Sequence, residues 1–191
     1  MTPRRRTEDL PCPSCASSIL RATTLEPGLP AHACAECAGT WIDAEAYRGW
    51  LERRRAQPDV TEPAAAPLAL ADVQHARLCP SCGRVMLRYR VGHGVDFFLD
   101  TCGVCNGIWF DRDEWAALKA RNLHDDLHLI FTEPWQAENH REAARAHLDA
   151  LYRKRFGAAY DEAVRVRAWL EAHPERAAIL AFLADPEPFE P

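Results

Sequence analysis

Eight cysteines, Cys12, Cys15, Cys34, Cys37, Cys79, Cys82, Cys102 and Cys105, fall into two copies of a CxxC…CxxC pattern that uses every cysteine in the chain. Thiolates are soft ligands, and a CxxC loop is short enough for both of its sulfurs to reach one ion at about 2.3 Å. The pattern predicts two tetrahedral zinc ions, one on Cys12, Cys15, Cys34 and Cys37 and one on Cys79, Cys82, Cys102 and Cys105. Four protein ligands leave no coordination position for water or substrate, so such ions support structure rather than hydrolysis. Eight cysteines could instead form four disulfides. The paired CxxC units and the cysteine-free C-terminal third favour reduced thiols, with iron on the same thiolates as the other metal alternative.

The rest of the chain offers little else that could react. It contains no glycine-rich phosphate loop and no HExxH sequence, and its cysteines are engaged as ligands. Among the eight histidines, His32 and His93 lie in or near the hairpins and His75 precedes the second copy. His124 and His128 stand four apart around Asp125 and Asp126, a spacing that could place both on one helix face. The plainer expectation is an exposed polar turn, and solvent-facing positions for His140 and His147.

The elements that must position the thiols repeat as the thiols do. The first copy reads CPSC, eighteen residues, then CAECAGTWIDAE; the second reads CPSC, nineteen residues, then CGVCNGIWFDRDEW. In the first, residues 19–25 have strand content, Pro27 and Gly28 suit a turn, and residues 29–33 lead back to Cys34. In the second, Val85, Leu87, Tyr89 and Val91 alternate with Met86, Arg88 and Arg90. A turn at Gly92, His93 and Gly94 follows, and Val95, Phe97 and Leu99 then alternate with Asp96, Phe98 and Asp100. Each hairpin should be followed by a helix that packs back onto it. Asp43 is placed to cap the first, with Ile42 and Tyr47 at hydrophobic-staple spacing. Asp111 and Glu114 form a capping box for the second, with Phe110 and Trp115 as the staple. Trp41, Tyr47 and Trp50 are expected on the first ribbon, and Trp109, Trp115 and Leu118 on one face of the second. Backbone amides near Gly39, Gly83, Gly103 and Gly107 are expected to approach the sulfurs.

The fold class is therefore a small metal-stabilised α+β protein: two zinc ribbons, each a β-hairpin with a trailing helix, followed by a C-terminal helical segment. The organisation is a first ribbon over residues 10–55, a Pro/Ala-rich linker over 56–75, a second ribbon over 76–123 and a helical domain or arm over 133–185. The last should contain helices over 134–155 and 160–172 and a third running to 184, broken at Gly157 and Pro174.

The two cysteine sets, Pro13 and Pro80 inside the first knuckles, and the trailing Gly39-x-Trp41-x-Asp43 and Gly107-x-Trp109-x-Asp111 segments resemble tandem copies of the transcription-factor-IIB-like zinc-ribbon family of small bacterial proteins. The first copy departs from the pattern at Ala46, where the second has Glu114, which should leave its helix less firmly capped. The resemblance implies a ribbon fold and a role in binding protein, DNA or RNA.

Charge weighs between those partners. The formal charge is -5; ionising eight thiols takes it to -13, and two dications return it to -9. A polymer bound mainly through its phosphates gains little from such a molecule as a whole. The leading expectation is a non-catalytic adaptor or regulatory protein that contacts a protein partner, with Arg88, Arg90 and Phe98 as the candidate surface and Trp109 and Trp115 as core aromatics. The alternative is a transcription-associated nucleic-acid binder using Arg4–Arg6, Arg88, Arg90, Arg153, Lys154, Arg155, Arg165 and Arg167. Third is an enzyme with a cryptic histidine and carboxylate site. Residues 1–11 lack the apolar core of a secretory signal, and no stretch approaches the roughly 18 apolar residues of a membrane span. The expectation is a cytoplasmic chain without membrane contact, its self-association open.

Overall fold

In the first hairpin, β1 (Arg21–Glu26) pairs antiparallel with β2 (Leu29–Ala33) around Gly28, which takes a left-handed φ of 78°. In the second, β4 (Leu87–Gly92) pairs with β5 (Val95–Thr101) around Gly92, His93 and Gly94, all at positive φ. Each hairpin is extended by a three-residue strand from its GxW segment, β3 (Thr40–Ile42) and β6 (Ile108–Phe110). These two short strands pair antiparallel with each other, in the register Thr40 with Phe110, Trp41 with Trp109 and Ile42 with Ile108. The two ribbons thereby become one six-stranded sheet of order β1-β2-β3-β6-β5-β4. The computed structural model describes residues 10–55, 76–186 and 188–189. The expected linker over 56–75, His75 and Arg4–Arg6 lie outside them.

The register is centred on the Trp41 and Trp109 pair, so the two copies are related by an approximate two-fold through that point. Side chains alternate between the faces of a sheet. One cross-strand row runs through Ala22, His32, Trp41, Trp109, Asp100 and Arg88, crossing all six strands. Trp41 and Trp109 belong to an apolar cluster with Leu10, Leu20, Met86 and the cysteines. Neither tryptophan therefore lies with the trailing helices, as the sequence had suggested. A Cβ on Gly107 would meet the Trp41 ring at 2.1 Å, and one on Gly39 would meet the Trp109 ring at 2.1 Å. Each ribbon's tryptophan occupies the space that the other ribbon's glycine leaves open.

The opposite face is covered by helices. α1 (Ala44–Arg55) and α2 (Glu114–Ala120) trail the two ribbons, and a single turn, α3 (Leu127–Ile130), follows. Their apolar residues, including Tyr47, Trp50, Trp115, Leu118, Leu127 and Ile130, bury Ile42, Val91, Phe97, Leu99, Ile108 and Phe110 in one core. Phe110 and Trp115 meet edge to face at 5.4 Å, and Ile42 and Tyr47 are both buried, as the staple spacing implied. Helices also cross between ribbons: Trp50 meets Trp115 at 5.8 Å, and Trp115 Nε1 donates to Glu26 Oε1 at 3.0 Å.

His124 is a correction. Instead of standing in an exposed turn, it is 2 % exposed and lies against the rings of Trp50 and Trp115, with neither ring nitrogen hydrogen-bonded. Burial, ahead of the opposing pull of Asp125, holds its pKa below the usual histidine range. The Tyr47 hydroxyl donates to the His124 carbonyl at 2.9 Å and accepts from Leu127 N–H at 3.3 Å, tying this turn to α1. His128, His140 and His147 are exposed.

The helix starts differ from the expected pattern. Asp43 Oδ1 accepts the Glu45 N–H at 3.0 Å, so the helix with Ala46 in place of glutamate does have its carboxylate cap. Asp111 caps nothing with its side chain. α2 starts later, at Glu114, behind Asp113 in a left-handed conformation, because the Asp111 carboxylate is drawn away by other donors. Half of the box survives: Glu114 Oε2 accepts the Asp111 N–H at 2.8 Å.

α4 (Glu133–Phe156) begins against β4. Trp135 Nε1 donates to the Val91 carbonyl at 2.8 Å, and Gln136 Nε2 and Asn139 Nδ2 each donate to the Arg90 carbonyl at 2.8 Å. Gly92 is required here, since a Cβ would lie 2.0 Å from Asn139 Oδ1. Contacts group the chain up to His140 with the sheet and the chain from Arg141 into a second unit. In that unit the remainder of α4, a 3-10 turn at Gly157–Ala159, α5 (Tyr160–Glu171) and α6 (Arg176–Ala184) match the helices expected from sequence.

Replacing Gly39 with alanine should force Trp109 out of place and cost about 1–3 kcal/mol, the usual penalty for overpacking a core. A thermal melt of Gly39→Ala at full zinc loading checks this; an unchanged midpoint contradicts the crossed packing.

Candidate metal centres

Each set of four cysteines comes from two knuckles, one ahead of its hairpin and one between that hairpin and the short pairing strand. The knuckles share one local geometry. The N–H of the first cysteine reaches across its turn, from Cys34 to the Gly39 carbonyl and from Cys102 to the Gly107 carbonyl, both at 2.9 Å. The residue after each second cysteine is left-handed: Ala16, Ala38, Gly83 and Asn106, with φ between 56° and 72°. A short turn that aims two sulfurs at one point requires this conformation, and only at Gly83 is it free of steric cost.

The sulfurs converge as the spacing implied. Cys12 and Cys37 Sγ are 3.6 Å apart, Cys15 and Cys34 3.8 Å, Cys79 and Cys105 3.5 Å, and Cys82 and Cys102 3.4 Å. A tetrahedral zinc with bonds of about 2.3 Å places its sulfurs about 3.8 Å apart, whereas a disulfide needs about 2.0 Å. All eight cysteines are unbridged, and the four sulfurs of each set lie within 4.8 Å of one another. Each site therefore fits one structural zinc ion. Among the described residues, these two sets are the histidine, cysteine or acidic groups close enough to share a metal.

The backbone prepares the sulfurs to carry charge. N–H groups of Ser14 and Cys15 point at Cys12, those of Glu36 and Cys37 at Cys34, that of Cys82 at Cys79, and those of Val104 and Cys105 at Cys102. The donors are thus mostly residues within the knuckles. Of the four glycines expected in this role, Gly107 donates to Cys105, while Gly39 and Gly107 both serve as the flat seats for tryptophan. Burial raises the Cys12 thiol, and the hydrogen bond with Cys105 together with burial raises Cys79. That same hydrogen bond, against burial, pulls Cys105 down to about 5. Against burial, the backbone donors at Cys34 bring it to about 7.

A buried ion cluster backs the second centre, and sequence reading missed it. Arg77, 4 % exposed, pairs with Asp100 on β5 and, through Nη2 at 2.7 Å, with Asp111. Asp111 Oδ1 also accepts from Trp109 Nε1 at 3.0 Å and from Ser14 of the first ribbon at 3.4 Å. Removing one member of such a buried pair strands the other's charge at roughly 3–5 kcal/mol. Asp100 was legible as an acid on a strand face. Its partner, 23 residues away just past the expected linker, carried no signal.

The expected surface residues lie together at the far end of the same sheet face. Arg90 is the cross-strand partner of Phe98, and the Arg88 guanidinium covers the Phe98 ring at 4.9 Å. Arg90 also pairs with Asp96 at 2.8 Å. All three are partly exposed, whereas Trp109 and Trp115 are buried as core aromatics.

Residues 11–53 and 78–121 each match the transcription factor zinc-finger family. With a four-cysteine centre, a hairpin and a trailing helix in both segments, the chain carries two tandem transcription-factor-IIB-like zinc ribbons. No curated protein and no solved structure matched the chain.

Metal analysis of protein purified under reducing conditions should give two zinc ions per chain, and Cys82→Ser should lower this to one. Because the ribbons share a sheet, a strong chelator should melt the sheet unit in one transition; a fold indifferent to chelation contradicts the assignment. A second outcome concerns pH. Burial above all, against the Asp111 N–H, raises Glu114 to about 8. The unfolded chain ionises this group near 4.5, so it erodes stability as pH rises from about 4.5 to 8, and fully above that. Glu114→Gln, which keeps the oxygen acceptor, should match wild type near pH 5. It should be more stable at pH 8.5 by at least about 1.4 kcal/mol, the worth of one pKa unit. Parallel denaturant titrations at the two pH values check this.

Proposed function

We propose that the chain is a non-catalytic zinc-binding adaptor or regulatory protein whose ribbon sheet presents the Arg88, Arg90 and Phe98 patch to a protein partner. The observation that carries this reading is the make-up of that patch: an arginine stacked on a partly exposed phenylalanine, next to a second arginine, on a rigid sheet. Aromatic and arginine side chains on a preorganised surface are the types that dominate protein interfaces. Closed thiolate spheres support the structural rather than the catalytic reading of the metal. Reduced thiols are consistent with a cytoplasmic setting, and no described helix is long and apolar enough to cross a membrane.

Nucleic-acid binding is less favoured by the charge layout. Arg90 is paired with Asp96, and on the C-terminal helices Arg153 is paired with Asp149, Arg165 with Glu162 and Arg167 with Glu171. Those cations are already partly neutralised, on a chain whose formal charge is negative. Affinity capture with zinc-loaded chain from its own cell extract tests the proposal. Wild type should retain a protein that Phe98→Ala and Arg88→Ala lose, with two zinc ions and the melting transition intact. Salt-sensitive retention of nucleic acid in its place would favour the alternative.

A further inference from the structure

The second unit, from Arg141 onward, carries more apolar surface than a freestanding helical segment can leave in water. Leu170 is its one buried side chain among the described residues. Eleven large apolar side chains between Leu148 and Phe189 are 42–87 % exposed. Leu148, Leu151, Tyr152 and Phe156 follow one another at helical spacing along α4, and five side chains, Leu148, Tyr152 and Phe156 with Tyr160 and Val164 of α5, line a groove of about 400 Å³. α6, Arg-Ala-Ala-Ile-Leu-Ala-Phe-Leu-Ala, is apolar all round apart from Arg176, yet Leu180, Phe182 and Leu183 stand 44–63 % exposed. A helix of that composition is ordinarily buried.

We propose that this unit is a homodimerisation module, in which the α4 to α6 surface of one copy packs against the same surface of a second copy. Two observations select a second copy as the occupant. The first is area: half-exposed side chains of this size, aromatics at about 150–250 Å² each among them, offer on the order of 1,000 Å² of apolar surface. A stable interface needs about 800 Å² from each partner, so one copy can supply what another requires. The second is charge. Residues 141–191 hold eight Arg and Lys against nine Asp and Glu, a net of -1, although the whole chain is at -5. Three of the eight cations, Arg153, Arg165 and Arg167, are paired within their own unit. The surface therefore carries no surplus of one sign that would call for an oppositely charged partner or repel its own copy. A two-fold interface meets both conditions, because the same patch serves on each side. The proposal is separate from the ribbon patch, since Phe98 lies in the other unit.

Sedimentation equilibrium of the zinc-loaded full chain, from about 1 to about 200 µM, tests it, because a dimer must build up by mass action. The expected result is a shift from 21.5 kDa toward twice that mass. The paired substitution Leu180→Glu with Leu183→Glu, both at exposed positions, should weaken self-association at least tenfold while zinc content and helicity stay unchanged. Phe98→Ala should leave it unaltered. Hydrogen exchange on wild type gives a second readout that needs no variant: amides of α5 and α6 should exchange more slowly at the higher concentration. A chain that stays monomeric throughout, a paired variant that associates like wild type, or exchange independent of concentration overturns the proposal. So does a surface that binds lipid vesicles while the protein remains monomeric.

Discussion

Trp41 of the first ribbon lies on Gly107 of the second, and Trp109 of the second lies on Gly39 of the first. Around this exchange the two shortest strands pair, and through them two hairpins become one sheet. A zinc ribbon alone has too few residues to bury a core of useful size. Joined edge to edge, the ribbons gain a common floor on which α1, α2 and α3 bury a single apolar layer. The same exchange brings both metal centres into one cluster with the tryptophans, so the ions and the sheet hold each other in place.

The approximate two-fold is exact enough for strands and ligands but not for the groups around them. Asp43 spends its carboxylate on the start of α1, whereas the matching Asp111 gives its own to Arg77, Trp109 and Ser14. The second helix then begins later, with a buried Glu114 held near neutrality by its surroundings. Duplicated sequence thus performs two tasks: one copy secures a helix, and the other anchors the stretch that enters the second ribbon. The outer strand of the second hairpin is further held by Trp135, Gln136 and Asn139 at the start of α4, which read the peptide groups of Arg90 and Val91.

Small zinc modules couple roughly 10–16 kcal/mol of apparent binding energy to folding. That margin tolerates local costs elsewhere in the site: left-handed alanines at Ala16 and Ala38, and a buried arginine between two aspartates. The closed spheres leave the ions without chemistry of their own, and what the sheet can offer a partner lies at its rim.

From sequence alone, the two hairpins, the longer helices and the ligands were legible, whereas the short strands β3 and β6 and the turn α3 were not. Cysteine spacing determined both metal sets, because a CxxC turn can reach only a nearby ion. Alternation and helical periodicity located the hairpin strands and the longer helices, because each buries one face at a characteristic period. The glycine and tryptophan of each GxW segment were visible as a repeat, but not their reason, since each glycine makes room for a distant side chain in the other copy, Gly39 for Trp109 and Gly107 for Trp41. Tertiary structure alone decided that the ribbons merge, that Asp111 leaves its helix for Arg77, and that His124 is sealed between Trp50 and Trp115. Those outcomes depend on which distant groups arrive at the same place, a competition that no local pattern of residues records.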